Sequence, residues 1–268
     1  MSWNAIGSAS SSCPPPNEPG PAFTVSGQSI RVPLTRVKGL TTRTTGAIFA
    51  ERKRGPFISW SDFHRRVAPL PEEMEAMIRV GAGDEFGQPR TAQFWEAQYL
   101  HRAFGGAREP NQGWLLPPPG LDRLPAIPLR EPSRRERLEA ETGLIGFAVS
   151  GHPLELHEDV AWQTYCPVAR LGEHIGEEVV TCGLVVEQRT HHQITGEPMK
   201  FLSLADWTGI VETELFAQTY KSYGLATVRY PVLEVTATVE PFENGRGFSL
   251  RALRAGKPRT KPSPNVSP

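Results

Sequence analysis

The stretch VVTCGLVVEQRTHHQITGEPMKFLSLADWTGIVETELF, Val179 to Phe216, decides the fold. Within it β-branched and aromatic residues alternate with polar ones, the period of a half-buried strand. Turn-forming residues interrupt it at Thr195-Gly196-Glu197-Pro198 and at Asp206-Trp207-Thr208-Gly209, so three strands are expected. Two more follow, Tyr230 to Val239 and Gly247 to Leu253, joined across Asn244-Gly245, a pair that accepts positive φ at both positions of a tight hairpin. Ala217 to Tyr223 is long enough for two helical turns between the third and fourth strands. Five strands with a short helix in that place is the order of an OB-fold, a small barrel that often binds oligonucleotides or oligosaccharides.

Working outward, the chain has 268 residues, 38% of them apolar, which gives room for one or two domains with real cores. Its formal charge is zero, but the average hides an asymmetry. Residues 31–66 hold nine basic side chains against Glu51 and Asp62, and residues 246–261 hold six against none. Between Gly172 and Gly245 eleven acids face four bases, a net of minus seven. Cys13, Cys166 and Cys182 share no metal-ligand or redox spacing, as in a reducing cytosol. No apolar run reaches membrane-spanning length and no signal peptide opens the chain, so a cytoplasmic location and no membrane contact are expected.

Residues 1–22, rich in Ser, Pro and Gly, are expected to form a disordered leader. In residues 23–105 a helical domain is expected. Its first part, VPLTRVKGLTTRTTGAIFAERKRG, places Leu34, Val37, Gly39, Leu40 and Ile48 where a helix-hairpin-helix needs its apolar and glycine positions. A tight glycine hairpin opening a helix leaves backbone N–H groups and the positive end of the dipole able to hold a phosphate. Arg36, Lys38, Gly39, Thr41 and Arg43 are the DNA-contact candidates there, against the reading in which the hairpin serves packing alone. Thr41 stands where a second glycine is expected.

Ser59 is expected to cap a helix through Val67, with Trp60, Phe63 and Val67 inward and Arg65 and Arg66 outward. Pro71, followed by Glu72, Glu73 and Glu75, suits the start of the next helix. GAGDEFG turns the chain into a longer helix, Pro89 to Phe104, with Phe94, Ala97, Leu100 and Phe104 as its apolar stripe. Residues 106–132 read as a Pro/Gly linker carrying Trp114-Leu115-Leu116. Ser133 and Glu136 form a capping-box pattern opening a helical connector, 133–171, before the barrel domain at 172–256 and a basic disordered tail at 257–268. His152, Glu155 and His157, and the pair His191-His192, lack a third ligand in metal spacing, so neither metal nor cofactor is expected.

These motifs together resemble one family. CPPPN (13–17), FTVSGQSIRVPLTRVKGL (23–40), RKRGPFISWSDFHRRV (52–67), EAMIRVGAGDEFG (75–87), ERLEAETGLIGFAVSGHPLE (136–155) and GEPMKFLSLADWTGIVETELF (196–216) look like the C-terminal third of the bacterial DNA polymerase III alpha subunit, in the family's order. The resemblance covers Cys13 to about Arg254 and implies an α+β multidomain architecture. A tandem helix-hairpin-helix domain that holds duplex DNA would precede a five-stranded OB-fold barrel near single-stranded template. The family's phosphoesterase-like and polymerase modules lie upstream of this region. No Asp-x-Asp and no Walker-type loop occurs, so the chain by itself is expected to be no enzyme; polymerase activity would need a core supplied in trans.

Two readings of function follow. In the first, the chain is a split, truncated or remnant polymerase segment that grips duplex and single-stranded DNA in replication or repair. Lys200 and Phe201 on the second barrel strand, with Phe201 stacking on bases if Leu202 and Leu204 point inward, and Arg246 and Arg251 as a basic rim, would be the barrel's contacts. A register slipped by one residue would instead make Phe201 core. In the second, the acidic barrel has lost nucleic acid and holds a replication or repair protein, or a polymerase core.

Overall fold

The computed structural model describes residues 10–12, 22–26, 29–104, 130–193, 195–242 and 247–262. They fall into two compact units, one up to Leu156 and one from His157 onward. The stretch 133–171, expected as one connector, is divided between them.

The first unit opens with β1 (Ser10–Ser12), β2 (Thr24–Ser26) and β3 (Ser29–Arg31), in the order β1-β3-β2, β1 running parallel to β3. The composition of 1–22 suggests disorder, yet Ser10–Ser12 pairs through its backbone, a bond that needs no apolar side chain. Five helices follow: α1 (Thr42–Arg52), α2 (Trp60–Val67), α3 (Pro71–Arg79), α4 (Arg90–Phe104) and α5 (Arg134–Ile145). Ser59 caps α2 through Asp62 N, and Ser133 and Glu136 form the reciprocal capping box of α5, as their spacing predicts. α5 runs past Thr142-Gly143 and stops at Gly146, whose φ of 99° is a left-handed cap.

Trp60, Phe63, Met74, Met77 and Leu100 form the centre of this unit, and Ile145 and Val149 bring α5 into the same core. Trp60 and Phe63 meet edge to face at 5.4 Å, and the indole donates to Gln93 Oε1 at 2.7 Å, so its polar atom is satisfied inside. Gly83 permits this packing: a Cβ there would lie 2.4 Å from the Trp60 ring. Arg66 departs from the expected outward position. Its guanidinium is half-buried over the Phe57 ring at 4.2 Å, bonded to Asp62 and Glu51 and to the carbonyls of Gly55 and Pro56, and so ties the loop after α1 to α2.

The second unit is a closed barrel of β4 (Glu178–His192), β5 (Pro198–Ala205), β6 (Ile210–Leu215), β7 (Val232–Pro241) and β8 (Phe248–Gly256), in the order β4-β5-β6-β8-β7. All neighbours are antiparallel except β6 and β8, which run parallel at Thr213–Leu250 and Glu214–Arg251. With α6 (Ala217–Tyr223) and α7 (Ala226–Arg229) between the third and fourth barrel strands, this is the OB-fold arrangement. Leu202, Leu204, Val211, Leu215, Val235 and Leu250 fill the interior, which fixes the register and turns Phe201 and Ser203 outward. Gly183 lets β4 pass under Leu204, whose Cβ would stand 2.8 Å from an added methyl.

The Asn244-Gly245 turn, Arg246 and the Trp114-Leu115-Leu116 segment lie outside the described residues. The start of the supposedly disordered basic tail is ordered. Ala161 N donates to Arg259 O at 2.9 Å, Lys261 N to Asp159 O at 2.7 Å, and Arg259 N to the Tyr165 hydroxyl at 2.6 Å. This strap closes a small second core of Val160, Tyr165, Cys182 and Val232 on the outside of the barrel.

Candidate nucleic-acid interface

The hairpin before α1 is built by a 3-10 turn, Leu34–Arg36, whose Leu34 is buried, and by Gly39 at φ 91°, a left-handed conformation that a side chain would strain. Lys38 N donates to Leu144 O at 2.8 Å and its ammonium to Gly143 O at 3.0 Å, so the end of α5 braces the hairpin. Arg36, Lys38, Gly39 and Arg43 are all exposed. Among the described residues the side chains of Arg36 and Lys53 make no hydrogen bond or ion pair, while Arg43 donates to Ala68 O at 2.9 Å with its side chain still 56% exposed.

Thr41 does a different job from the one its position suggests. Its N–H and hydroxyl both donate to Glu73 Oε1, at 2.8 and 2.7 Å, and the Thr44 hydroxyl and Leu70 N donate to Glu73 Oε2 at 2.6 and 2.8 Å. The Glu73 side chain is completely buried. Burial alone would raise its pKa, but hydrogen bonds from Thr44, Leu70 and Thr41 outweigh it and hold the carboxyl below its usual range. An internal carboxylate therefore occupies the anion position at the start of α1. The same device recurs at α4, where Glu131 accepts from Arg90 N and Thr91 N, both at 3.1 Å. What the first hairpin leaves to a ligand is its outer rim, Arg36, Lys38, Gly39 and Arg43.

On the barrel, the register sets a row of outward side chains around the strands: Arg189 on β4, Phe201 on β5, Glu214 on β6 and Arg251 on β8. The next row is Glu187, Ser203 and Glu212. Phe201, half-buried, thus lies between Arg189 and Glu214, with Glu187 and Glu212 diagonal to it in the next row. Arg251 reaches Glu240 at 3.4 Å and lies over the Phe216 ring at 5.0 Å. Lys200, a contact candidate from sequence, points the other way. It is 5% exposed, donates to Thr227 Oγ1 at 2.7 Å and faces the Tyr220 ring, and burial lowers its pKa. Strand alternation puts it on the Leu202 side. Met199 has the same outward parity as Phe201 but is 7% exposed, with Gln193 over its sulfur.

Residues 16–93 match the family described as helix-hairpin-helix motif. Over 256 residues the chain is 30% identical to DNA polymerase III subunit alpha of Thermus aquaticus, covering 90% of this chain and 20% of that protein. It is 30% identical over 223 residues to the error-prone DNA polymerase of Symbiobacterium thermophilum, covering 76% and 21%, and 26% identical over 211 residues to the alpha subunit of Aquifex aeolicus, covering 76% and 17%. The chain is a homologue of one region of these polymerases. It spans about a fifth of the length of the curated relatives it matches. The second OB-fold domain of replication protein A from Methanococcus maripaludis aligns with 31% of this chain and 84% of its own at 15% identity and a TM-score of 0.21, too slight a likeness to add to the barrel's own topology.

Against this alpha-subunit background, Glu73 and Glu131 are the site residues that sequence reading missed. Glu73, in the acidic first turn of α3, accepts from the N-cap amide of that helix, Leu70 N, as its position suggests, and in addition serves α1, 29 residues back. No helix among the described residues is long and apolar enough to cross a membrane.

Proposed function

We propose that this chain is a DNA-binding polymerase III alpha-like segment, without catalysis of its own, that holds duplex DNA in replication or repair through the rim of its first hairpin. The observation that carries this reading is the cluster of exposed Arg36, Lys38 and Arg43 around a positive-φ glycine, braced from behind by α5. Phosphate contacts supply most sequence-independent affinity, and cations on a rigid turn meet phosphates without an ordering cost. The homology to DNA polymerases supports the reading. Anisotropy titration of the full chain on duplex DNA at several salt concentrations tests it. Arg36→Ala with Lys38→Ala is expected to weaken binding and to flatten the slope of log K against log salt by about 2. An unchanged slope refutes the hairpin reading.

For the barrel, the acids Glu187, Glu212 and Glu214 around Phe201 favour a second reading, in which that face holds a protein of the replication or repair machinery. A strand of phosphates would meet these three carboxylates beside Arg189 and Arg251, each already paired with an acid, Glu187 at 3.5 Å and Glu240 at 3.4 Å, and like-charge contact opposes binding. Phe201→Ala distinguishes the two: it costs single-strand affinity about 1–3 kcal/mol if the ring stacks on bases, and nothing if the face is for protein.

A further inference from the structure

Between α3, α4 and α5 lies a cavity of about 390 Å³, within the usual range of ligand pockets. Its walls are Ile78, Phe94, Trp95 and Ala140, and Arg79 and Arg137 stand at its rim. Trp95 is 49% exposed, on the side of α4 away from the buried Gln93 and Ala97. The other charges around the cavity are taken. Arg90 forks onto Asp84 at 2.9 and 2.6 Å, Glu75 holds Arg79 at 3.6 Å, and Glu136 receives Ser133 N and Arg130. Arg137 donates from Nε to Pro132 O at 3.0 Å and has the Glu131 carboxylate as an electrostatic neighbour, while its terminal nitrogens make no hydrogen bond among the described residues.

The place of this cavity along α5 matters. Gly143 and Leu144, which receive the Lys38 ammonium and amide, lie three and four residues beyond Ala140. They are on the same helix face, one turn of about 5 Å further on. The face of α5 that walls the cavity therefore continues into the brace of the hairpin rim.

We infer that this cavity takes an unstacked nucleobase, planar on the indole of Trp95, from a nucleotide neighbouring those whose phosphates meet Arg36 and Lys38. This rests on the DNA-binding reading of the rim and adds to it a preference for DNA with an unpaired base over continuous duplex. An aromatic wall with guanidinium groups at its mouth suits a base attached to a phosphate: stacking holds the ring, and Arg137 meets the charge. A mismatched or unpaired base leaves its stack at the least cost.

The test uses the full chain and two hairpin duplexes of one sequence, one fully paired and one with a single unpaired 2-aminopurine nucleotide. The unpaired form is expected to bind about tenfold tighter, with quenching of 2-aminopurine emission. Trp95→Ala should abolish both the preference and the quenching while leaving the circular dichroism and the affinity for the paired duplex unchanged. Equal affinity for the two duplexes, or a preference that survives Trp95→Ala, overturns the base site and leaves the rim reading standing. If neither duplex binds, both fall. In parallel, the Trp95 indole N–H resonance should move on adding adenosine monophosphate; movement only with N-acetylphenylalaninamide would make the occupant a protein side chain and overturn the proposal.

Discussion

Replacing Glu73 by glutamine probes the joint between α1 and α3 without changing its volume. The wild-type carboxylate accepts four hydrogen bonds, two at each oxygen, and two of the donors are the backbone N–H groups of Thr41 and Leu70. An amide offers one accepting oxygen. The hydroxyls of Thr41 and Thr44 can turn to accept from the new NH2, but the two N–H groups lie on different oxygens, so either orientation strands one of them. A buried unsatisfied N–H costs about 1–3 kcal/mol, and loss of the charge at the start of α1 adds about 0.3–1. Glu73→Gln is thus expected to cost roughly 1–4 kcal/mol, felt in the helical unit alone. Because the chain has two units, hydrogen exchange of peptides spanning α1 and α3 is the right assay rather than a single melting point. The pH dependence gives a second check. A folded-state pKa held below its unfolded value contributes stability that is complete above the unfolded value of 4.5 and fades as pH falls through the folded one. The gap between wild type and Glu73→Gln should therefore be constant above pH 4.5 and shrink below it. A cost under about 0.5 kcal/mol, or a gap indifferent to acid, would refute the capping account.

His64 predicts a separate acid effect: burial, then the neighbouring His101, pushes its pKa down to about 4 from 6.5, so the unfolded chain takes up the proton first. Stability of the helical unit should fall between pH 6.5 and 4, by at most about 3 kcal/mol, and His64→Phe should flatten that fall in hydrogen exchange. Phe201→Ala should leave the barrel folded by circular dichroism while Leu202→Ala costs about 2–5 kcal/mol, because only the second faces the interior; the reverse order would restore the slipped register. Truncation after Gly256 removes the strap on Tyr165 and Ala161, and with it about three hydrogen bonds, so in a Cys13→Ser, Cys166→Ser background the Cys182 thiol should react with a disulfide reagent on the order of 10²-fold faster. An unchanged rate would mean that the strap does not hold the second core shut.

Period-2 alternation and two turn clusters carried the barrel strands β4, β5 and β6 in the sequence, because each strand has one wet face and one dry face. The same alternation separated Phe201 from Leu202. It also placed Lys200 inside, but a lysine reads as surface unless its partner is known, and Thr227 lies 27 residues away. Glu73 was equally hidden. A first-turn glutamate is ordinarily accounted for by its own helix, and only the folded chain brings Thr41 and Thr44 over it. The strap at Arg259 was missed for a related reason: two of its three bonds are backbone to backbone, the third goes to the Tyr165 hydroxyl 94 residues away, and Pro and Lys around it give no periodic signal. Local periodicity thus survived in the sequence, while contacts between distant segments did not.

That distinction bears on how the hairpin would hold DNA under the proposed function. Counting charge along residues 31–66 gives a net of plus seven, but folding divides those charges by function. Arg66 is spent inside, and Arg54 and Arg65 sit 2.8 Å from Glu51 and Asp62. The rim retains Arg36 and Lys38, with Arg43 more than half exposed though 3.8 Å from Glu73, and Lys53 exposed at the far end of α1. A grip made by about three or four cations releases few counterions, so duplex affinity at physiological salt should be modest. A segment of this kind is suited to holding DNA that something else has already brought near, and a base seated beside Trp95 would supply the selectivity that so few phosphate contacts cannot.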